Sequence, residues 1–491
     1  MSIIILTLLG YFVCLYLFSL LSGKKGDNNS FFHANHQSPW YLVAFGMIGA
    51  SISGVTFVSV PGMVINQQMT YLQTCMGFIF GYIIVAFVLL PLYYRLRLTT
   101  IYTYLEQRFG RRSYQTGAWF FLISKMIGSA VKFYVVCMIL QRYVLDAWDV
   151  PFTITIVVLV TLIWLYTRHG GIRTLVLTDS FQTLCMLIAL VLIIYFTMDA
   201  LHLSVPQMVT TIMHDAHSRV FVWDDWGSTQ HFVKQFFSGI FIVIVMTGLD
   251  QDMMQKNLTC KSLREAQKDM CTYGVAFLPA NLLFLSLGVL LLMLAQQRGI
   301  DVPTNTDDLM LLFTAGGQLG TTVTVLFTIG IVAACFSSAD SALTSLTTSF
   351  CIDIKRQPDN EKLRKWTHIG VAIAFVNFIL LFRAINSTNL INAIYIIVSY
   401  TYGPLLGLFA FGLFTKRSVN DRLVPYIAVA SPILCFLVDR LANQIWDYQF
   451  GYELLMLNGL FTFVGLWLSD LRQKKQIHHN IDMQNDIEKH L

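Results

Sequence analysis

The sequence predicts an all-α polytopic membrane fold built on an inverted repeat, and three observations carry that prediction. Of 491 residues, 55% are hydrophobic and only 12% charged, more apolar side chain than one soluble core of this size holds. Apolar runs of about 20 residues, enough to cross roughly 30 Å of hydrocarbon, recur from end to end. Two of these runs are interrupted by small or polar residues at corresponding places in two halves of the chain, the pattern of inverted-repeat carriers.

Taken in order, the apolar runs place about 13 helices near 2–22, 39–65, 69–97, 114–141, 151–168, 174–199, 233–255, 267–296, 308–350, 366–384, 389–415, 423–441 and 450–470. The first lacks a basic leader and a small-residue cleavage site, so it is read as a span and not as a removed signal. Basic residues collect on the cytoplasmic side of short loops. Alternate loops here carry 25 of them on one side, Lys256 and Arg364 included, and five on the other, with Lys125, Lys132 and Lys234 inside spans. That asymmetry predicts an inner-membrane (plasma-membrane) protein with its N-terminus outside and its C-terminus in the cytoplasm.

The organisation expected is an extra N-terminal helix and cytoplasmic loop (1–38), a five-helix repeat (39–199), an extracytoplasmic loop (200–232), a second five-helix repeat (233–417), two extra helices (418–470) and a polar tail (471–491). The outer loop, rich in His, Trp and Asp, is either a surface helix or a plain connector. The nine cysteines lie mostly in apolar runs without CxxC or Cys/His spacing and read as packing residues. No basic arm points to nucleic acid. The absence of HExxH and Gly-x-Ser-x-Gly motifs argues against the enzymes that use them. A channel also needs oxygen-lined paths, but paired broken helices favour a carrier.

Polar residues inside a span are costly unless they line a cavity, which makes them the candidates for function. Gly46 to Phe57 places Gly49, Ser51, Ser53, Gly54 and Thr56 in mid-span, with Pro61 a turn later. Such a stretch either unwinds to free carbonyl oxygens or lets helices pack closely. The seventh span has a matching interruption, Thr247-Gly248-Leu249-Asp250-Gln251-Asp252. In the ninth, Ser337, Asp340, Ser341 and Thr344 share one face, either hard oxygen ligands for a small cation or a hydrogen-bonded seam. Asp179 in the sixth span needs a cation or a proton.

Three stretches give these features a family likeness: Thr99 to Gly110, Gly170-Gly171-Ile172-Arg173 leading to Thr178-Asp179 and Gln182, and Asp250-Gln251 with Gln255-Lys256. With the serine-rich ninth span they run in order over about residues 40–420, and the chain resembles the sodium:solute symporters, carriers of sugars, sialic acid, proline, pantothenate or iodide. The resemblance implies a LeuT-type fold of 5+5 core helices and sodium-coupled import of a small polar solute by alternating access. It implies a main sodium site at the carbonyls of Gly49, Ile52 and Ala334 and the hydroxyls of Ser337 and Ser338. A second sodium, as in members resembling sialic acid transporters, would use Asp179, Ser337, Asp340 and Ser341, with Asp340 standing where those members have serine. The solute expected is a sugar, sialic acid or other organic anion; because Asp179 and Asp340 can titrate, a proton-coupled carrier of the same fold is one alternative, and an amino-acid or vitamin symporter another.

The solute cavity is expected beside the breaks, lined by Ser51, Ser53, Thr56, Phe57, Tyr71, Gln73, Cys75 and Thr247. Lys125 and Lys132 share a face of the fourth span. Either Lys132 holds an anionic solute, a sialic acid or other organic anion, or it pairs with Asp179 or Asp340; Lys125 either joins it or snorkels to the cytoplasmic edge. The partners expected are therefore sodium, the solute and membrane lipid, with no nucleic acid and no required protein.

Overall fold

A computed structural model describes residues 2–22, 28–385, 390–446, 448 and 450–469, and the expected polar tail lies outside them. The main helices are α1 (Ser2–Ser22), α2 (Trp40–Ser51), α3 (Gly54–Gln67), α4 (Tyr71–Leu96), α5 (Arg111–Leu145), α6 (Phe152–Gly170) and α7 (Ile172–Ala200). There follow α8 (Phe232–Gly248), α9 (Gln251–Asn257), α10 (Leu263–Arg298), α11 (Thr321–Ile354), α12 (Glu361–Ile385), α13 (Leu390–Phe414), α14 (Val424–Trp446) and α15 (Leu454–Ser469). Among the described residues nine helices are long and apolar enough to cross a membrane, or 11 when each bent pair is one span. The expected 13 is reached only by adding α6 and α15, whose apolar stretches are shorter.

Both interruptions expected from the sequence are real breaks. The axes of α2 and α3 meet at 61° across Ile52 and Ser53, and those of α8 and α9 at 70° across Leu249 and Asp250. The run at 308–350 is corrected: Asp308–Phe313 is a separate short helix, and α11 begins only at Thr321. Gly317 and Gly320, at φ 79° and 90°, make the turn between them, a conformation that side-chain-bearing residues rarely adopt. The outer loop contains the helix Val205–His214, so it is more than a connector.

Burial orders the helices. In α11, 72% of the most apolar window is buried, against 22% in α1, α12 and α14, so α11 runs through the middle and those three face lipid. Helix α11 packs against α7 and α5, α7 against α2, α4 against α8, and α5 against α13. Close approach depends on small residues, as it does generally between helices in lipid. A Cβ on Gly49 would lie 2.0 Å from Thr183 Oγ1 of α7, and one on Gly54 1.9 Å from Cys335 Sγ of α11. The small residues around the first break therefore serve packing and unwinding together.

Gly49→Val should therefore cost about 1–3 kcal/mol through overpacking, read as a fall of several degrees in melting temperature in detergent. Gly10→Ala, where a Cβ meets nothing within 4 Å, should leave the melting temperature level or slightly raised.

Candidate functional site

At the first break the chain leaves α2 through Ile52, whose amide still bonds to Ile48, and Ser53 turns back to the carbonyl of Ser51 at 3.0 Å. Helix termini leave backbone groups without intrahelical partners. The Ala50 carbonyl, between the expected ligands Gly49 and Ile52, accepts a hydrogen bond from Ser338 Oγ of α11 at 3.0 Å. The expected ligand helices thus meet at this junction: Ala334, Ser337 and Ser338 are buried on α11 beside the unwound turn. This is a cluster of carbonyl and hydroxyl oxygens, the donor set that suits a hard cation.

The second break differs. Its freed carbonyls are taken by tyrosines, Tyr93 bonding to Gly248 O at 2.8 Å and Tyr102 to Leu249 O at 3.0 Å. Asp250 caps the short helix that follows, accepting from the amides of Asp252 at 2.9 Å and Met253 at 3.4 Å, where a helix N-terminus favours negative charge. Of the two breaks, the first is thus the better placed to offer backbone oxygen to an ion.

All seven residues of α9 are buried, and its polar side chains are held individually. Gln251 accepts from Ile101 N at 3.0 Å and donates to Thr99 O at 3.3 Å, while Gln255 donates to Phe32 O at 2.8 Å and to Thr348 Oγ1 at 3.0 Å. Asn257 donates to Asp269 at 2.5 Å. Lys256 Nζ lies 2.7 Å from Asp179 Oδ2, an ion-pair contact with both side chains no more than 2% exposed. The three stretches that carry the family likeness therefore converge on this one short helix.

The Asp179–Lys256 contact corrects the charge map, because Lys256 lies in the interior and not in a loop. Arg364, also counted as a loop residue, is buried over the Phe31 ring. Asp179 Oδ1 accepts from Ser337 Oγ at 2.8 Å, which ties the pair to the first break through an expected sodium ligand. Asp340 has a different neighbourhood, accepting from Tyr166 at 2.8 Å and Ser341 at 3.3 Å. Of the residues expected for a second sodium, Asp179 thus contacts Ser337 and Lys256, while Asp340 contacts Ser341 and Tyr166.

A cavity lies between the two breaks. Ser51, Ser53, Thr56, Tyr71, Lys132 and Thr247 line it as expected. Phe57, Gln73 and Cys75 do not. Phe57, one residue past the lining Thr56, turns onto Phe284 and Phe327, and Gln73 holds the outer loop through Gln230 O and Val222 N. On α4 the lining residues are Tyr71, Phe78 and Tyr82; Cys75, between them on the same face, is buried and does not line the cavity.

The sequence reading missed Tyr82, Tyr273 and Tyr402. Ser51 shares a hydrogen bond with Tyr273, which accepts from Tyr82 at 2.7 Å. Lys125 does not snorkel: it lies 2.6 Å from Asp252 and 3.2 Å from Asp250 at the second break. Nor does Lys132 pair with Asp179 or Asp340. Among the described residues no ion pair includes Lys132, whose side chain reaches the cavity. An i to i+4 count from Asp252 to Lys256 was the available signal that Lys256 belongs to a buried helix face.

Removing one member of the buried pair should be expensive. Asp179→Asn or Lys256→Gln alone should destabilise the protein by about 3–5 kcal/mol, and the double variant by less than the sum, measured by chemical denaturation in micelles.

The comparisons agree with this architecture. The sodium:solute symporter family matches residues 31–422. The sodium/sialic acid symporter NanT of Aliivibrio fischeri is 24% identical over 84% of this chain and 83% of its own length. The sodium/sialic acid symporter SiaT of Proteus mirabilis is 24% identical over 90% of each. In three dimensions the chain superposes on the substrate-bound, outward-open state of a Na+-coupled sialic acid symporter with a TM-score of 0.80, covering 95% of this chain and 97% of that one at 21% identity. It matches Mhp1, a nucleobase-cation-symport-1 family transporter, with a TM-score of 0.55 at 16% identity, over 91% of this chain and 94% of the other. The fold is thus the LeuT-type one expected, and the chain belongs to the sodium:solute symporter family.

Proposed function

We propose that the protein uses the sodium gradient to import a small organic anion, and that Lys132 receives its carboxylate. The observation that carries this reading is a lysine facing the cavity between two broken helices without a carboxylate partner among the described residues. A charged group at such depth is costly unless an opposite charge arrives. The relatives that transport sialic acid support the same class of solute, as do the hydroxyls of Ser51, Ser53, Thr56, Tyr82 and Tyr273 around the cavity, which suit a hydroxylated or amide-bearing body. Of the lining expected from the sequence, Tyr71 and Thr247 remain in this assignment, and Phe57, Gln73 and Cys75 leave it.

Sodium binds where α2 unwinds against α11. Its ligands are the hydroxyls of Ser337 and Ser338 with carbonyls from Gly49, Ala50 or Ile52 and from Ala334. An ion entering there replaces the Ser338–Ala50 hydrogen bond with two ion–oxygen contacts and fastens the broken helix to α11. Favouring the solute-binding state in this way makes the two ligands reciprocal: each raises the other's affinity. The position for a second sodium is Asp340 with Ser341, because Lys256 already balances Asp179. The topology is N-terminus outside and C-terminus inside a cell membrane, with sodium, solute and lipid as partners and no protein partner required.

The test is a thermal-shift screen of the purified protein in sodium and in potassium against sugars, sialic acids, other carboxylates and amino acids. A sodium-dependent shift confined to carboxylates supports the proposal; a shift with neutral sugars alone removes the anion. Lys132→Ala should weaken carboxylate binding about 10- to 100-fold, and Lys132→Arg should recover part of it. Ser338→Ala should raise the sodium concentration needed for half-maximal shift roughly tenfold, and an unchanged sodium dependence would displace the site.

A further inference from the structure

The floor of the cavity is a charge cluster that neither break requires. Lys125 of α5 lies between two carboxylates, 2.6 Å from Asp252 Oδ2 and 3.2 Å from Asp250 Oδ2. Tyr402 of α13 donates to the same Asp250 oxygen at 2.6 Å. These groups line one end of the cavity and are buried or nearly so, with the Lys125 side chain 14% exposed. Asp250 would cap α9 without Lys125 or Tyr402, so capping does not explain them.

Their placement does suggest a role. Helix α9 and the loop after it lead to the side of the membrane that carries the basic loops. Its first turn is fastened to α5 and α13 by this cluster, and its far end is fastened to α7 by Lys256. Along α5, Lys125 lies about 10 Å nearer that side than Lys132, seven residues at 1.5 Å each. Between the solute position and that side stands a cross-link from three separate helices.

We propose that Lys125, Asp250, Asp252 and Tyr402 form the gate on that side of the solute cavity. Release of solute requires α9 to part from α5 and α13, which breaks the Lys125 contacts and the Tyr402 hydrogen bond. Two carboxylates share one ammonium, Asp252 Oδ1 has no hydrogen-bond partner among the described residues, and the cluster is a latch whose contacts water can replace on opening. Lys125 and Tyr402 are on this view positioning residues: they set how often the cavity opens to that side and need not touch the solute. The proposal rests on the reading of this cavity as the solute path.

The test needs no solute. In the full chain reconstituted in vesicles, with the three cysteines that are not buried (Cys14, Cys185 and Cys271) replaced by alanine, Ser129→Cys places a reporter in the cavity wall. A membrane-impermeant maleimide is applied from the basic-loop side in sodium. Tyr402→Phe, which keeps the ring and removes one hydrogen bond to a carboxylate, should speed labelling roughly tenfold, and Lys125→Met should speed it further. Labelling from that side as slow as in the parent in both variants would overturn the gate; should Lys125→Met not insert, Tyr402→Phe alone decides. Binding of no carboxylate in sodium would overturn the proposed function instead, and the labelling comparison reads separately from it.

Discussion

The buried contact between Lys256 and Asp179 is the constraint around which the rest of the interior is arranged. A lysine and an aspartate in the middle of a membrane protein, no more than 2% exposed, are tolerable only together. Their pairing draws α9 inward against α7, and with α9 come the second break, its tyrosine-satisfied carbonyls and the capping Asp250. The pair also touches the first break, because Asp179 accepts from Ser337 on the helix that faces the unwound turn of α2. One electrostatic requirement thus positions both broken helices relative to α11.

This explains why the two breaks do different work. At the second, Tyr93 and Tyr102 use up the freed oxygens, and the acidic residues beyond it turn to Lys125 and Tyr402. At the first, the buried Ala50 carbonyl oxygen accepts from a serine hydroxyl, an interaction that an incoming cation can replace at little cost. On the proposed reading, this asymmetry places the ion at α2 and α11 and leaves α8 and α9 to close the cavity. Under the proposed function, a solute between them that reached from Lys132 toward the hydroxyls of Ser51 and Tyr273 would sense both.

Much of this was legible in the sequence because membrane physics leaves few choices. A span with Gly49, Ser51, Ser53 and Gly54 at its centre must pack closely or unwind, and it does both. The serine face of α11 was readable from helical spacing alone. What escaped was charge pairing between distant helices. Lys256 and Arg364 look like loop residues by the rule that places basic residues outside the membrane, yet each has an interior partner that only the fold brings near. Phe57 was misplaced for a simpler reason: one step from the lining Thr56 turns a helical side chain by about 100° in space. Gln73 was misplaced because its partners, Gln230 and Val222, lie in the distant outer loop, and Cys75 because sharing a face with lining residues does not by itself bring a short side chain to the cavity. The run at 308–350 was read as one span because its apolar residues hide Gly317 and Gly320, which turn the chain.

The central claim is that a sodium ion at the α2–α11 junction is tied energetically to an anion at Lys132. Solute accumulation in vesicles measures this most directly, with a radiolabelled carboxylate identified by its sodium-dependent stabilisation and a sodium gradient or a pH gradient imposed separately. The account predicts accumulation with sodium outside and none with the pH gradient alone. Uptake that follows the pH gradient in the absence of sodium would contradict it and would hand the coupling to the buried carboxylates Asp179 and Asp340.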